Sequence, residues 1–260
     1  MHILGIDLAT RRYSDIGVAL LHQSASAIHV NFLHPAAAGL GGPPQVAMLA
    51  EWVADVARQH DVAIIAIDGP QAWKAPDNGL DHARLCEQLL RTQAKTGLPG
   101  AVKPGPALRF VRFAIDFFDA LAEAGWPRLA DAATLPPHSP VTVEVFPTAV
   151  WRALGLRPLP AKGKSSVSDI GCWRRQVAER FSLCFRTAPG HDELQALMAG
   201  LVALALASGQ RDEVALYGAP PYFGGGVWRE GYIANFVHPA ARESASLKLE
   251  PIDRGLSGLG

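Results

Sequence analysis

His2-Ile3-Leu4-Gly5-Ile6-Asp7-Leu8-Ala9 is a short apolar run that ends on an acid. A second run, Ala63-Ile64-Ile65-Ala66-Ile67-Asp68-Gly69-Pro70, has the same form. Aliphatic runs of this kind make buried strands. In an open α/β sheet such strands bring their C-terminal ends to one edge, where ligands bind. Two acids at one edge repel each other unless a cation or a shared proton neutralises them. Asp7 and Asp68 therefore point first to a divalent-metal site.

The pattern between these runs sets the topology. Residues 15–22 and 27–33 read as two strands joined by the turn Gln23-Ser24-Ala25-Ser26. A Gly/Pro-rich loop at 39–44 precedes a helix over 44–60, with Val46, Leu49, Val53, Val56 and Ala57 on one face. The strand 62–67 completes a βββαβ order. A crossover helix puts its last strand parallel beside the first, which sets Asp7 next to Asp68.

Beyond this unit, residues 69–107 read as loop and short helix, punctuated by prolines. Phe110, Phe113, Phe117 and Leu121 mark a helix over 107–124 whose aromatic face reads as core. A Pro-rich stretch, 127–140, leads to a strand at 141–145. A short helix begins at Pro147, a helix lies near 169–180 and a short strand near 181–185. Residues 190–208 are apolar on nearly every side, as in a helix covered all round. From 210 on the chain is Gly-rich, with Gly224-Gly225-Gly226 as a flexible turn and a strand at 232–236. The expectation is one α/β domain over 1–260, with insertions at about 69–140 and a C-terminal extension at about 210–260.

Composition narrows the function. The 260 residues are 49% apolar and 18% charged, enough for a large core. The formal net charge is zero, so no global field attracts nucleic acid or an acidic membrane. Cys86, Cys172 and Cys184 have no CxxC spacing, against a zinc knuckle or a disulfide scaffold. The longest apolar run, 194–207, contains Gln195 and is shorter than the ~20 residues that span a bilayer. The first residues lack a basic leader region. A cytoplasmic protein without a membrane segment is expected, and an oligomer is left open.

Two further acids extend the pair. Glu144 sits in the strand 141–145, and Asp192 lies at the start of the 190–208 helix, where the dipole favours an ionised carboxylate. Taken singly, each also reads as a strand acid, a turn former or a helix-terminus acid. Together they are the oxygen ligands that Mg²⁺ and Mn²⁺ prefer. Two such ions about 4 Å apart can assist attack on a phosphodiester and stabilise its leaving oxygen. Basic stretches around Arg84 to Arg112 and Arg157 to Arg186 offer cations for phosphates, Lys164 among them. Ordinary solvated faces explain them equally well. Trp73 and Trp151 read as core or as stacking platforms, and His191 as a cap or a proton shuttle. Gly163-Lys164-Ser165 is not a P-loop, because Pro158 stands where the motif needs glycine.

The runs Gly5-Ile6-Asp7-Leu8-Ala9, Ile67-Asp68-Gly69-Pro70, Glu144-Val145-Phe146-Pro147 and His191-Asp192-Glu193-Leu194-Gln195-Ala196-Leu197 resemble the DUF429 family of ribonuclease H-like nucleases. The likeness spans roughly residues 3 to 236. Arg84 and Arg91, around Cys86, resemble that family's basic helix. The resemblance implies a ribonuclease H-like mixed sheet and a divalent-metal nuclease acting on a nucleic acid or nucleotide. Asp7, Asp68, Glu144 and Asp192 would hold Mg²⁺ or Mn²⁺, with Arg84 and Arg91 on the substrate; Lys164 is expected there from its basic stretch. Gln195 departs from the family's acid, which leaves Asp192 or Glu193 as the last ligand. Two other readings compete. One is an actin-like ATP-dependent phosphotransferase, against which Ala9 stands where a glycine normally meets phosphate. The other is a non-catalytic binding protein that keeps the fold.

Overall fold

The computed structural model describes residues 1–130, 140–210 and 212–238. Most of the Pro-rich stretch and the end of the expected C-terminal extension lie outside the described residues. In chain order the elements are β1 (His2–Asp7), β2 (Gly17–Gln23), β3 (Ile28–Leu33), α1 (Val46–Gln59), β4 (Val62–Asp68) and α2 (Leu85–Leu90). There follow β5 (Lys95–Thr96), β6 (Val102–Lys103), α3 (Leu108–Glu123), β7 (Val141–Val145) and α4 (Pro147–Ala153). The last are α5 (Val167–Phe181), β8 (Leu183–Phe185), α6 (His191–Ala207), β9 (Val214–Gly224) and β10 (Val227–Phe236).

The main sheet has the order β8-β3-β2-β1-β4-β7-β10-β9. β1 pairs antiparallel with β2 and parallel with β4. The βββαβ core is therefore the ribonuclease H-like mixed sheet expected from the sequence. Residues 214–236, expected in part as an extension, form a hairpin that extends this sheet, with β10 against β7.

Strand alternation divides the core into two layers. Leu4, Ile6, Ile65 and Ile67 face α1 and α3. Ile3, Ile64, Ala66, Val143 and Val145 face α6 and α4. Full burial of each such side chain contributes roughly 1.5–3 kcal/mol. α6 is covered on nearly all sides, from Leu194 to Leu206. It lies directly on the sheet because glycines face it. A Cβ on Gly5 would stand 2.0 Å from the Ala196 carbonyl oxygen, and one on Gly17 2.1 Å from that of Asp192. Gly17 is the register partner of Asp7. The missing side chain thus lets the first turn of α6 settle onto the strand edge that carries Asp7.

Candidate active site

Asp7 and Asp68 are direct register partners at the ends of β1 and β4. Both follow the alternation that points Gly5 and Ala66 toward α6, so both carboxyls lie on the α6 face. They are half-buried and share a hydrogen bond. Burial, then the negative charges of Asp68 and Asp192, pushes Asp7 well above the usual carboxylate range. Burial, then the charge of Glu144, lifts Asp68 to about 7. The pair holds a proton near neutral pH, as two acids must when no cation neutralises them.

Asp192 reaches the cluster from the first turn of α6. Its Oδ1 is 3.0 Å from His191 Nδ1, and its Oδ2 accepts a hydrogen bond from Lys162. Burial alone would raise Asp192, but these two hydrogen bonds outweigh it and hold the carboxyl below its usual range. Of the two acids left open at this helix, Asp192 is the one whose charge acts on Asp7. Glu193 instead accepts the Gly190 N–H at 2.7 Å, which engages its carboxylate at the start of the helix.

Glu144 is placed differently. It pairs with Ile67, whose side chain packs against α1 and α3, whereas Val145 pairs with Asp68. One residue of register therefore sets Glu144 on the other face of the sheet from the aspartate pair. There Arg84 grips it in a two-pronged ion pair, Nη1 to Oε2 at 2.8 Å and Nη2 to Oε1 at 2.7 Å. The Gln71 N–H adds a third hydrogen bond at 2.9 Å. Burial still raises Glu144, against the pull of Arg84 and Gln71. A metal ligated by Glu144 would have to share oxygens that already accept three hydrogen bonds. A cavity of about 80 Å³ beside the site is lined by Asp68, Glu144, Arg84, Thr92 and Phe146.

The basic residues separate in the same way. Arg84, expected on the substrate, is fully buried and bonds Glu144 and Glu87. It is corrected to an internal counter-ion, because an arginine held by two buried acids has no fork left to offer a phosphate. Arg91 and Lys164 are exposed. Trp151 is fully buried and Trp73 nearly so, so both serve the core rather than a base stack. Gln195 accepts the Trp151 indole N–H at 2.8 Å, which turns it to α4.

The donor set suits a hard cation. Among the described residues no group of three or more His, Cys, Asp or Glu side chains forms a ready-made metal cage. Mg²⁺ commonly uses one or two carboxylates and keeps several waters, and the Asp7–Asp68 pair fits that habit.

The family model described as "Protein of unknown function (DUF429)" matches residues 5–220. The chain belongs to the DUF429 family. No protein of curated function matches this DUF429 chain. It is similar to the Thermus thermophilus RuvC structure at 15% identity and a TM-score of 0.40, covering 85% of this chain and 99% of that one. For T. thermophilus RuvC in complex with a Holliday junction substrate the figures are 16% and 0.38, with 81% and 97% covered. For the yeast mitochondrial Holliday junction resolvase Ydc2 they are 9% and 0.39, with 81% and 83% covered. Among the described residues of the DUF429 chain no helix is long and apolar enough to cross a membrane.

Lys162, which the sequence places only in the basic stretch from Arg157 to Arg186, lies beside the acid cluster. It bears no motif. Its meaning comes from the fold, which brings it to Asp192, 30 positions away, and to Asp15, 147 positions away.

Proposed function

We propose that this chain is a divalent-metal-dependent hydrolase that cleaves phosphodiester bonds in a nucleic acid. The observation that carries the reading is the Asp7–Asp68 pair, two half-buried carboxyls set side by side by strand register and left to share a proton. Such a pair is costly to keep in a fold without a use for it, and a Mg²⁺ or Mn²⁺ ion is the partner that suits two hard oxygens. Bound there, the ion would supply a Lewis acid for the phosphodiester and a more acidic water.

The chain's own residues do the rest. Asp7 and Asp68 would hold the cation, their shared proton passing to solvent. Asp192, kept ionised by His191 and Lys162, adds negative charge at the open side of the pair. Glu144, fixed in place by Arg84, adds negative charge from the opposite face, which a cation at Asp68 would offset. Arg91 and Lys164 supply exposed positive charge for the phosphate backbone.

The test is Mn²⁺-dependent cleavage of labelled RNA, duplex DNA and branched DNA, with Asp7→Asn and Asp68→Asn in parallel. Cleavage that needs the metal and disappears in both variants supports the reading. Cleavage that persists in Asp7→Asn, or none on any substrate, removes it.

A further inference from the structure

Lys162 arrives at the acid cluster on a strap, the loop ahead of α5. The strap is tied to α6 at Pro160 and folded on itself by Ser165. His191 Nε2 lies 2.8 Å from the Pro160 carbonyl oxygen, and Ser165 Oγ donates to the carbonyls of Pro160 and Ala161 at 3.2 and 3.4 Å. The lysine ammonium is therefore presented by a tied loop. It bonds two carboxylates from different elements, Asp192 on α6 and Asp15 at 3.0 Å on the turn after β1. Its charge also reaches Asp7.

The distribution of charge around the cluster is uneven. Asp192 already has a cation in Lys162. Asp7 and Asp68 have each other. The position on α6 three residues beyond Asp192 is Gln195, neutral and committed to Trp151. Glu144 is committed to Arg84. A first divalent ion therefore meets two carboxyls that no cation engages, whereas a second would have to displace an ammonium to reach Asp192.

We propose that Lys162 is a built-in cation that stands where a second metal ion would otherwise sit, so that the site takes one divalent ion. Its charge faces the same cluster that binds the substrate's phosphate. It supplies fixed positive charge there without a second metal's dissociation equilibrium. The proposal rests on the divalent-metal reading of the Asp7–Asp68 pair.

The experiment counts ions on the full chain at pH 8, from the electron paramagnetic resonance signal of free Mn²⁺ during titration. The proteins are wild type, Lys162→Gln and Lys162→Arg. Lys162 is about half exposed, its side chain at 53%, and circular dichroism verifies that each variant folds. Wild type and Lys162→Arg are expected to bind one Mn²⁺ per chain, and Lys162→Gln two. Two ions in the wild type, or one in Lys162→Gln, overturns the role of Lys162 and leaves the metal reading standing. No ion in the wild type overturns both together.

Discussion

Asp68→Asn should make the metal-free protein more stable while disabling its site. The folded state holds Asp68 at about 7 against an ordinary value of 3.8, because burial and the charge of Glu144 disfavour its ionised form. A pKa raised in the folded state means that the folded chain binds a proton which the unfolded chain has already lost. The contribution of Asp68 to stability is thus greatest below about pH 4, falls as the pH rises from there to about 7, and levels off above. The displacement is roughly 3 pH units, a ceiling of about 4 kcal/mol at 1.36 kcal/mol per unit. Asp68 is half-buried and shares its proton with Asp7, so about half of this, ~2 kcal/mol, is the expected gain when the charge is removed. For a chain of this size that raises Tm by roughly 4–8 °C. The assay is thermal unfolding of wild type and Asp68→Asn in a chelator, at pH 8 and pH 4. The gain should be present at pH 8 and nearly absent at pH 4. In Mg²⁺ the order should narrow or invert, because the ion stabilises the wild type alone. An Asn variant no more stable than wild type at pH 8 without metal would refute the reasoning.

Three further outcomes follow from the same geometry. Arg84→Met leaves Glu144 and Glu87 as uncompensated buried acids, and should cost about 3–5 kcal/mol in denaturant unfolding. Gly17→Ala places a methyl 2.1 Å from the Asp192 carbonyl oxygen, so the first turn of α6 must lift. Stability should fall by roughly 1–3 kcal/mol, and Mn²⁺ affinity by about tenfold as Asp192 moves from Asp7. Arg91→Ala with Lys164→Ala should leave Tm unchanged and weaken binding of a labelled oligonucleotide, with a shallower dependence on salt. An unchanged salt slope would remove these two residues from the substrate surface.

The fold and the aspartate pair were legible because they rest on local patterns that the topology multiplies. Alternating aliphatic residues made β1 and β4 readable, and the crossover helix α1 fixed their parallel adjacency. From there Asp7 and Asp68 had to meet. Asp192 was legible because an acid before a long apolar helix marks its N-terminus. The missed features depend on distance or on a broken local signal. β9 carries Gly218, Pro220 and Pro221, residues that a central strand excludes and that an edge strand tolerates. The fate of Glu144 turned on one residue of register and on Arg84, 60 positions away. Arg84 reads as a basic surface residue, yet the fold buries it against Glu144. Lys162 has no local pattern at all. Its identity as part of the site comes from the strap that holds it against Asp192.

The central claim is that Asp7 and Asp68 exchange a shared proton for a divalent cation. The most direct measurement is isothermal titration of Mg²⁺ at pH 6.5, repeated in buffers of different ionisation enthalpy to count protons. The account predicts binding accompanied by release of about one proton, tighter at pH 8, and lost in Asp7→Asn. Binding that releases no proton, or that survives in Asp7→Asn with equal affinity, would contradict it.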